Sequence, residues 1–281
     1  MHAFPIPVVA MTLGPGSQQE EESLDYLPMP HEMRTYRAPV LPEPEEMAAG
    51  PQARAFLAGL LNSARAWKAG MAPISLELGS LPPGDRQLID QVLGEGEVSA
   101  QVTESGGVLA IQESVFAGVW RLRGRSADGG VFAERLEVGA APAALLQARL
   151  MGSPAPETPS LEPGVINAPA LLAEIAAKLK EAGAAVHVIN LSLLPFSPED
   201  AAWLDRALGR GAATVLSRGY GNCRITATGV ARVWWVQYFN SQDALILNTL
   251  EVTDLPDVAR AAPEDLEDSA ERLAEVLEWV G

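Results

Sequence analysis

Two long stretches of this chain repeat each other. Leu93-Gly94-Glu95-Gly96 returns 115 residues later as Leu208-Gly209-Arg210-Gly211, and the same offset sets Asp85 on Asp200, Asp90 on Asp205 and Ile74-Ser75-Leu76 on Ile189-Asn190-Leu191. After a one-residue gap the offset is 114. It then sets Val119-Trp120 on Val233-Trp234, Leu136-Glu137-Val138 on Leu250-Glu251-Val252, and Pro142 on Pro256. A collinear repeat constrains the fold more than any single motif, because one set of local structures must serve twice.

Each copy reads as α-β-α-β-β-β-β. In the first, Phe56, Leu57, Leu60, Leu61, Ala64 and Trp67 recur at helical spacing up to Gly70, and Ile74 to Leu78 alternates as a strand. Pro82-Pro83-Gly84-Asp85 opens a second helix that Gly94 ends, and four β-like runs follow at Val98 to Val102, Val108 to Gln112, Val115 to Arg123 and Val131 to Val138. Ala143 to Met151 reads as helix. In the second copy Asn167 caps a helix ending at Gly183, Val186 to Leu193 is a strand, and Ser197 opens a helix that Gly209 ends. Arg232 to Asn240 is the most aromatic strand. Arg232, Trp234, Val236 and Tyr238 point one way and Val233, Trp235, Gln237 and Phe239 the other, so both faces are apolar and the strand must be covered on both. With Leu245 to Val252 it forms a hairpin, the counterpart of the one containing Trp120.

The predicted fold is therefore α+β: two tandem, duplicated units with mostly antiparallel sheets, packed pseudo-symmetrically, plus an extended N-terminal arm and a C-terminal helix. The boundaries are residues 1–50 for the arm, 51–151 for the first unit, 152–164 for a Pro/Gly-rich linker, and 165–281 for the second unit with its C-terminal helix. The arm is rich in Pro, Glu and Met, and Pro-X-Pro spacing disfavours a helix there. Its apolar beads Tyr26, Leu27, Met29, Met33 and Tyr36 suit docking on the chain's own core or on a partner. Pro263 to Val280 reads as a helix with Glu264, Asp265, Glu267 and Asp268 favourably placed at its N-terminus and with Leu266, Leu273, Val276, Leu277 and Val280 as its buried stripe.

The formal charge of −16 excludes a nucleic-acid stripe and disfavours anionic membranes, while suiting a basic protein segment. No apolar run reaches the roughly 20 residues of a spanning helix, and the prolines near Met1 break any signal-peptide helix, so a cytoplasmic location is expected. A lone cysteine, Cys223, excludes an intramolecular disulfide and a multi-cysteine metal site. His2, His31 and His187 are scattered. The paired Gly-X-Gly motifs follow helices, where they act as caps rather than phosphate loops, and there is no phosphate-loop lysine or nucleophile elbow. Asp85 and Asp200 read as first-turn acids of helices. Cys223 reads first as a small apolar residue at a strand start, with Arg224 beside it as a candidate for lowering the thiol pKa instead, and Arg232 needs a carboxylate or carbonyls, with Glu251 as one candidate. No catalytic constellation, metal site or cofactor is expected.

The sequence resembles the HupH/HyaF/HoxQ family of nickel–iron hydrogenase expression and formation proteins. The resemblance is carried by Gly14-Pro15-Gly16-Ser17 with Leu27-Pro28-Met29-Pro30, by Gly94 to Ser99 with Ile111 to Trp120, by Arg224 to Thr228 with Val233 to Ser241, and by the acidic Ala262 to Leu273. It implies an accessory maturation factor, a dedicated chaperone for the iron–sulfur small-subunit precursor of an uptake hydrogenase before twin-arginine export. Other hydrogenase accessory proteins are further implied partners. Two alternatives stand beside it: a redox or metallochaperone-type enzyme working through Cys223, and a scaffold for other maturation proteins. The partner-binding candidates are Tyr26, Leu27, Met29 and Met33 of the arm with Arg232, Trp234 and Tyr238 of the aromatic strand. Acids of the arm and of the C-terminal helix are expected to face a basic segment of the client.

Overall fold

A computed structural model describes residues 41–48, 50–181, 185–219 and 221–279, so the arm candidates Tyr26, Leu27, Met29 and Met33 lie outside the described residues. Within the span assigned to the arm, α1 (Pro44–Ala48) is a short helix where extended chain was expected. Pro44 occupies its first turn, with Glu45 and Glu46 at the positive end of the dipole. The first unit then runs α2 (Pro51–Ala66), β1 (Ile74–Glu77), α3 (Pro83–Leu93), β2 (Val98–Glu104), β3 (Gly107–Glu113), β4 (Val119–Arg125), β5 (Val131–Val138) and α4 (Ala143–Ala148). The second runs α5 (Ala168–Leu179), β6 (His187–Asn190), α6 (Pro198–Leu208), β7 (Arg210–Ser217), β8 (Asn222–Thr228), β9 (Val233–Phe239) and β10 (Leu245–Val252), then a 3-10 turn at Asp257–Ala259 and α7 (Pro263–Trp279).

The strands form one antiparallel sheet of ten in the order β1-β5-β4-β3-β2-β7-β8-β9-β10-β6. Separate sheets for the two units were expected; instead β2 pairs with β7, Ala100 lying opposite Val215. Alternation shows which face of a strand is apolar and is silent on its edges, whose N–H and C=O groups are satisfied here by pairing across the seam. From that seam outward, each half lays down its own second, third, fourth, fifth and first strands.

The same contacts recur in both halves. Trp120 Nε1 donates to the Gly139 carbonyl at 2.8 Å, and Trp234 Nε1 to the Thr253 carbonyl at 3.2 Å. The Ser114 hydroxyl donates to the Phe116 carbonyl, and the Thr228 hydroxyl to that of Val230. Gly96 and Gly211 lie so close to the Ser114 and Thr228 carbonyls that a Cβ at either would sit 2.2 or 2.3 Å from the oxygen. Close approach thus explains the second glycine of each Gly-X-Gly, while the first ends its helix by donating its N–H to Asp90 or Asp205.

Asp85 and Asp200 are buried, and each reaches across to the N-terminus of a neighbouring helix. Asp85 Oδ1 accepts from Ala53 N at 2.7 Å, and Asp200 Oδ1 accepts from the N–H groups of Ile166, Asn167 and Ala168, each at 2.9 Å. The Asn167 side chain, expected to cap α5, makes no capping bond. Burial alone would raise the Asp200 pKa, but the four backbone N–H groups of Ala168, Ile166, Asn167 and Ser197 outweigh it and hold the carboxyl below its ordinary value. Asp200→Ala strands the N–H groups at the start of α5 and is expected to cost about 2 kcal/mol. A urea midpoint unchanged from the parent chain would refute this.

Strand β9 is interior, and its two faces feed different cores. Val233 and Trp235 pack with Leu250, Val252 and the apolar sides of α5 and α6. Trp234 and Val236 join Ile225, Val215 and Ala100 in the larger cluster, which continues into the first unit. That cluster also receives Leu266, Ala270 and Leu273, because α7 packs against α2 of the first unit rather than on its own. Leu266 fills the space beside Gly118, and Arg272 donates to the Val115 carbonyl and stacks over Phe116. The chain leaving α4 crosses in the opposite sense: Ser153 bridges to Val230, Trp203 donates to the Ser160 carbonyl and Arg206 pairs with Glu162. The stretch assigned as a linker is therefore part of the second unit's packing.

Candidate functional site

Across the seam the sheet has two unlike faces. Residues directly opposite in an antiparallel pair point the same way. The registers therefore group Val98, Ala100, Leu109, Ile111, Val215 and Ile225 on one face, all buried. The other face of the same four strands carries Gln101, Thr103 and Ala110, all exposed, with half-buried Gln112, Leu216 and Thr226 beside them. This open strip has an α-helical layer at each end. On one flank Asp90 of α3 pairs with Arg121 and Arg123, and Glu134 pairs with Arg86 and Arg123; on the other Asp205 of α6 lies 4.0 Å from Arg210. The polar half of the alternation in Val98 to Val102 and Val108 to Gln112 was the available signal for these residues; alone it marks any solvated face.

The aromatic-strand candidates do not gather on a surface. Trp234 is 1% exposed, with its indole nitrogen satisfied inside the protein. Tyr238 is half-buried and hydrogen-bonded to Cys223, and its phenol is pushed up to about 12, first by burial. Arg232 precedes β9 at a turn with φ of 64°, the place held by Gly118 in the first unit. Its partner is Asp254, 3.0 Å away, not the expected Glu251, because a residue in the left-handed turn projects off the strand's pleat. Arg149, leaving α4, pairs with the same Asp254 and accepts the Arg232 N–H on its carbonyl, so the three residues tie the units together.

Cys223 is buried, and burial pushes its thiol up to about 12. Neighbouring strand residues face opposite ways, so Arg224 lies on the other side of the sheet, stacked over Phe239, and does not lower the thiol pKa; Cys223 packs as a small buried residue near the start of β8. Glu113 is the strongest perturbed acid. It lies in the core, accepts from Gly118 N at 3.1 Å and has Glu97 and Asp265 nearby. Burial first, then those two acids, raise its pKa to about 7 against the hydrogen bonds that favour its charge. His187 pairs with Glu174 at the sheet edge. Among the described residues no group of three or more His, Cys, Asp or Glu side chains could hold a metal ion, and no helix is long and apolar enough to cross a membrane.

The family model described as HupH hydrogenase expression protein, C-terminal conserved region, matches residues 51–150 and again residues 165–280. The chain is 51% identical to the hydrogenase expression/formation protein HoxQ of Cupriavidus necator, over 100% of this chain and 99% of that one. It is 49% identical to HupH of Rhodobacter capsulatus over 99% and 98% of the two chains, and 34% identical to the hydrogenase-1 operon protein HyaF of Escherichia coli over 95% of each. A solved HupH structure from Thiobacillus denitrificans is 35% identical, covering 40% of this chain and 93% of that one with a TM-score of 0.36. With the family model matched in both halves and close relatives aligned end to end, the chain belongs to the HupH family of hydrogenase expression/formation proteins.

Proposed function

We propose that the protein is a dedicated chaperone in nickel–iron hydrogenase maturation, holding the iron–sulfur small-subunit precursor in the cytoplasm before twin-arginine export. The reading rests on the family, whose members carry names of hydrogenase expression and formation. The open strip of the central sheet supports it, as a broad surface that the described helices leave to a partner. The proposed architecture is a duplication: the repeated Trp120/Trp234 and Asp85/Asp200 hydrogen bonds support superposing the two units with Trp120 on Trp234.

Arm residues Tyr26, Leu27, Met29 and Met33 are proposed to give apolar affinity. The acids of the arm and of α7 act on the association rate with a basic client segment, and salt at physiological strength screens them beyond roughly 8 Å. Pull-down of the isolated small-subunit precursor as the sole added component tests the client, and failure to retain it would leave the scaffold reading in place. An association rate that is independent of salt and survives removal of residues 1–50 would move binding away from the arm. The enzyme alternative runs through Cys223, whose raised pKa opposes thiolate chemistry near neutral pH. Cys223→Ser is expected to support hydrogenase maturation at the parental level; lost maturation with an unchanged melting temperature would restore that alternative.

A further inference from the structure

In a chain with 36 acidic residues, the open face of β3, β2, β7 and β8 bears no carboxylate. Arginines stand on both sides of it. The ladder that crosses the strip through Gln112, Ser99 and Leu216 has Arg121 at one end and Arg224 at the other. Asp90 and Glu134 answer Arg121 and Arg123, whereas among the described residues no carboxylate lies within ion-pair distance of Arg224 or the exposed Arg125. Among the described residues Arg121 also has no hydrogen-bond partner for its buried Nε. Burial and the nearby Arg210 both oppose the Arg224 charge, and the carboxylate on that flank, Asp205, sits at Arg210, 4.0 Å away, rather than at Arg224. Between these flanks the floor offers amide and hydroxyl side chains, with a few apolar ones, across four interstrand spacings, roughly 19 Å. That width accommodates one α-helix with its side chains or an extended segment.

We infer that the strip is the docking floor for an acidic segment of the client precursor, whose carboxylates meet Arg125 and Arg224 while its polar atoms bond to Gln101, Thr103 and Thr226. This rests on the client reading above and adds the sign of charge at one surface. The strip would engage a different part of the client from the basic segment assigned to the arm and α7.

Ala110 provides the test, because it is exposed on the β3 side of the strip, opposite Arg123 of β4 on one side and Gln101 of β2 on the other. Full-length protein, Ala110→Glu and Ala110→Lys are compared for binding of a fluorescent Glu-rich peptide, a Lys-rich peptide and the small-subunit precursor, with melting curves to check the fold. Opposite charges at one exposed site should act oppositely. The Glu-rich peptide is expected to weaken about three- to tenfold with Ala110→Glu and to tighten with Ala110→Lys, and the precursor to follow the same order. Absent or equal binding of the Glu-rich peptide to all three proteins overturns the inference, as does a Lys-rich peptide that tightens with Ala110→Glu. A precursor bound equally by all three also overturns it. If the peptides behave as expected but the unmodified protein does not bind the precursor, the client reading fails and the acidic-segment floor stands.

Discussion

Trp234→Ala is expected to lower the unfolding free energy by roughly 3–5 kcal/mol, the range for removing a fully buried large aromatic side chain. Two terms add. The indole is enclosed by the core shared by both units, and its departure leaves a cavity that the interior strand β9 is poorly placed to collapse. The Thr253 carbonyl also loses its donor. Trp120→Ala should behave alike, since that ring is 0% exposed and donates to Gly139. Urea unfolding followed by far-ultraviolet dichroism gives the number. If the midpoint of Trp234→Ala stays with the parent while precursor binding falls, the ring is a client contact and the packing account is wrong.

Glu113→Gln is expected to stabilise the protein by about 3 kcal/mol at most at pH 8 and to change little near pH 4. The folded carboxyl titrates near 7 and an ordinary one near 4.5. Between those values the folded chain keeps a proton that the unfolded chain has released, so stability falls as pH rises through this window and levels off above it. Glutamine retains an acceptor for Gly118 N without a charge to bury, and so removes that slope. Asp200 and Glu134, held below their ordinary values, act with opposite sign: their contribution is present above about pH 4 and is lost on acidification through the folded values. Urea midpoints at pH 5, 6, 7 and 8 for the two proteins test the assignment. A difference that is constant across the series would place the slope elsewhere.

Much of this structure was legible residue by residue. The alternation of Val233, Trp234, Trp235 and Val236 announced a strand covered on both sides, and β9 is interior with a separate core against each face. Arg232, by contrast, reads in the sequence as the first residue of that strand, whereas it occupies a left-handed turn before β9, as Gly118 does at the matching position of the first unit. The seam between β2 and β7 was not legible, since a half-apolar strand has the same pattern at an edge or inside a sheet. The amphipathic stripe of α7 likewise showed that Leu266 and Leu273 are buried, but an apolar stripe does not name the surface that buries it. For the open strip, Gln101 and Ala110 looked like ordinary solvated positions until the registers brought four strands together and left their common face without an acid.

The crossing of α7 onto α2 has a consequence for synthesis on the ribosome. The apolar face of α2 emerges early, while the helix that covers it lies about 200 residues further along the chain. At roughly 5–20 residues per second the nascent first unit would wait some 10–40 s for its last wall. Through that interval α2 has no α7 to pack against, and for its earlier part, until residue 217 is made, the seam strand β2 has no β7. The first unit is thus a vectorial intermediate with an apolar face and, at first, an unpaired edge, and its native closure waits for the synthesis of α7.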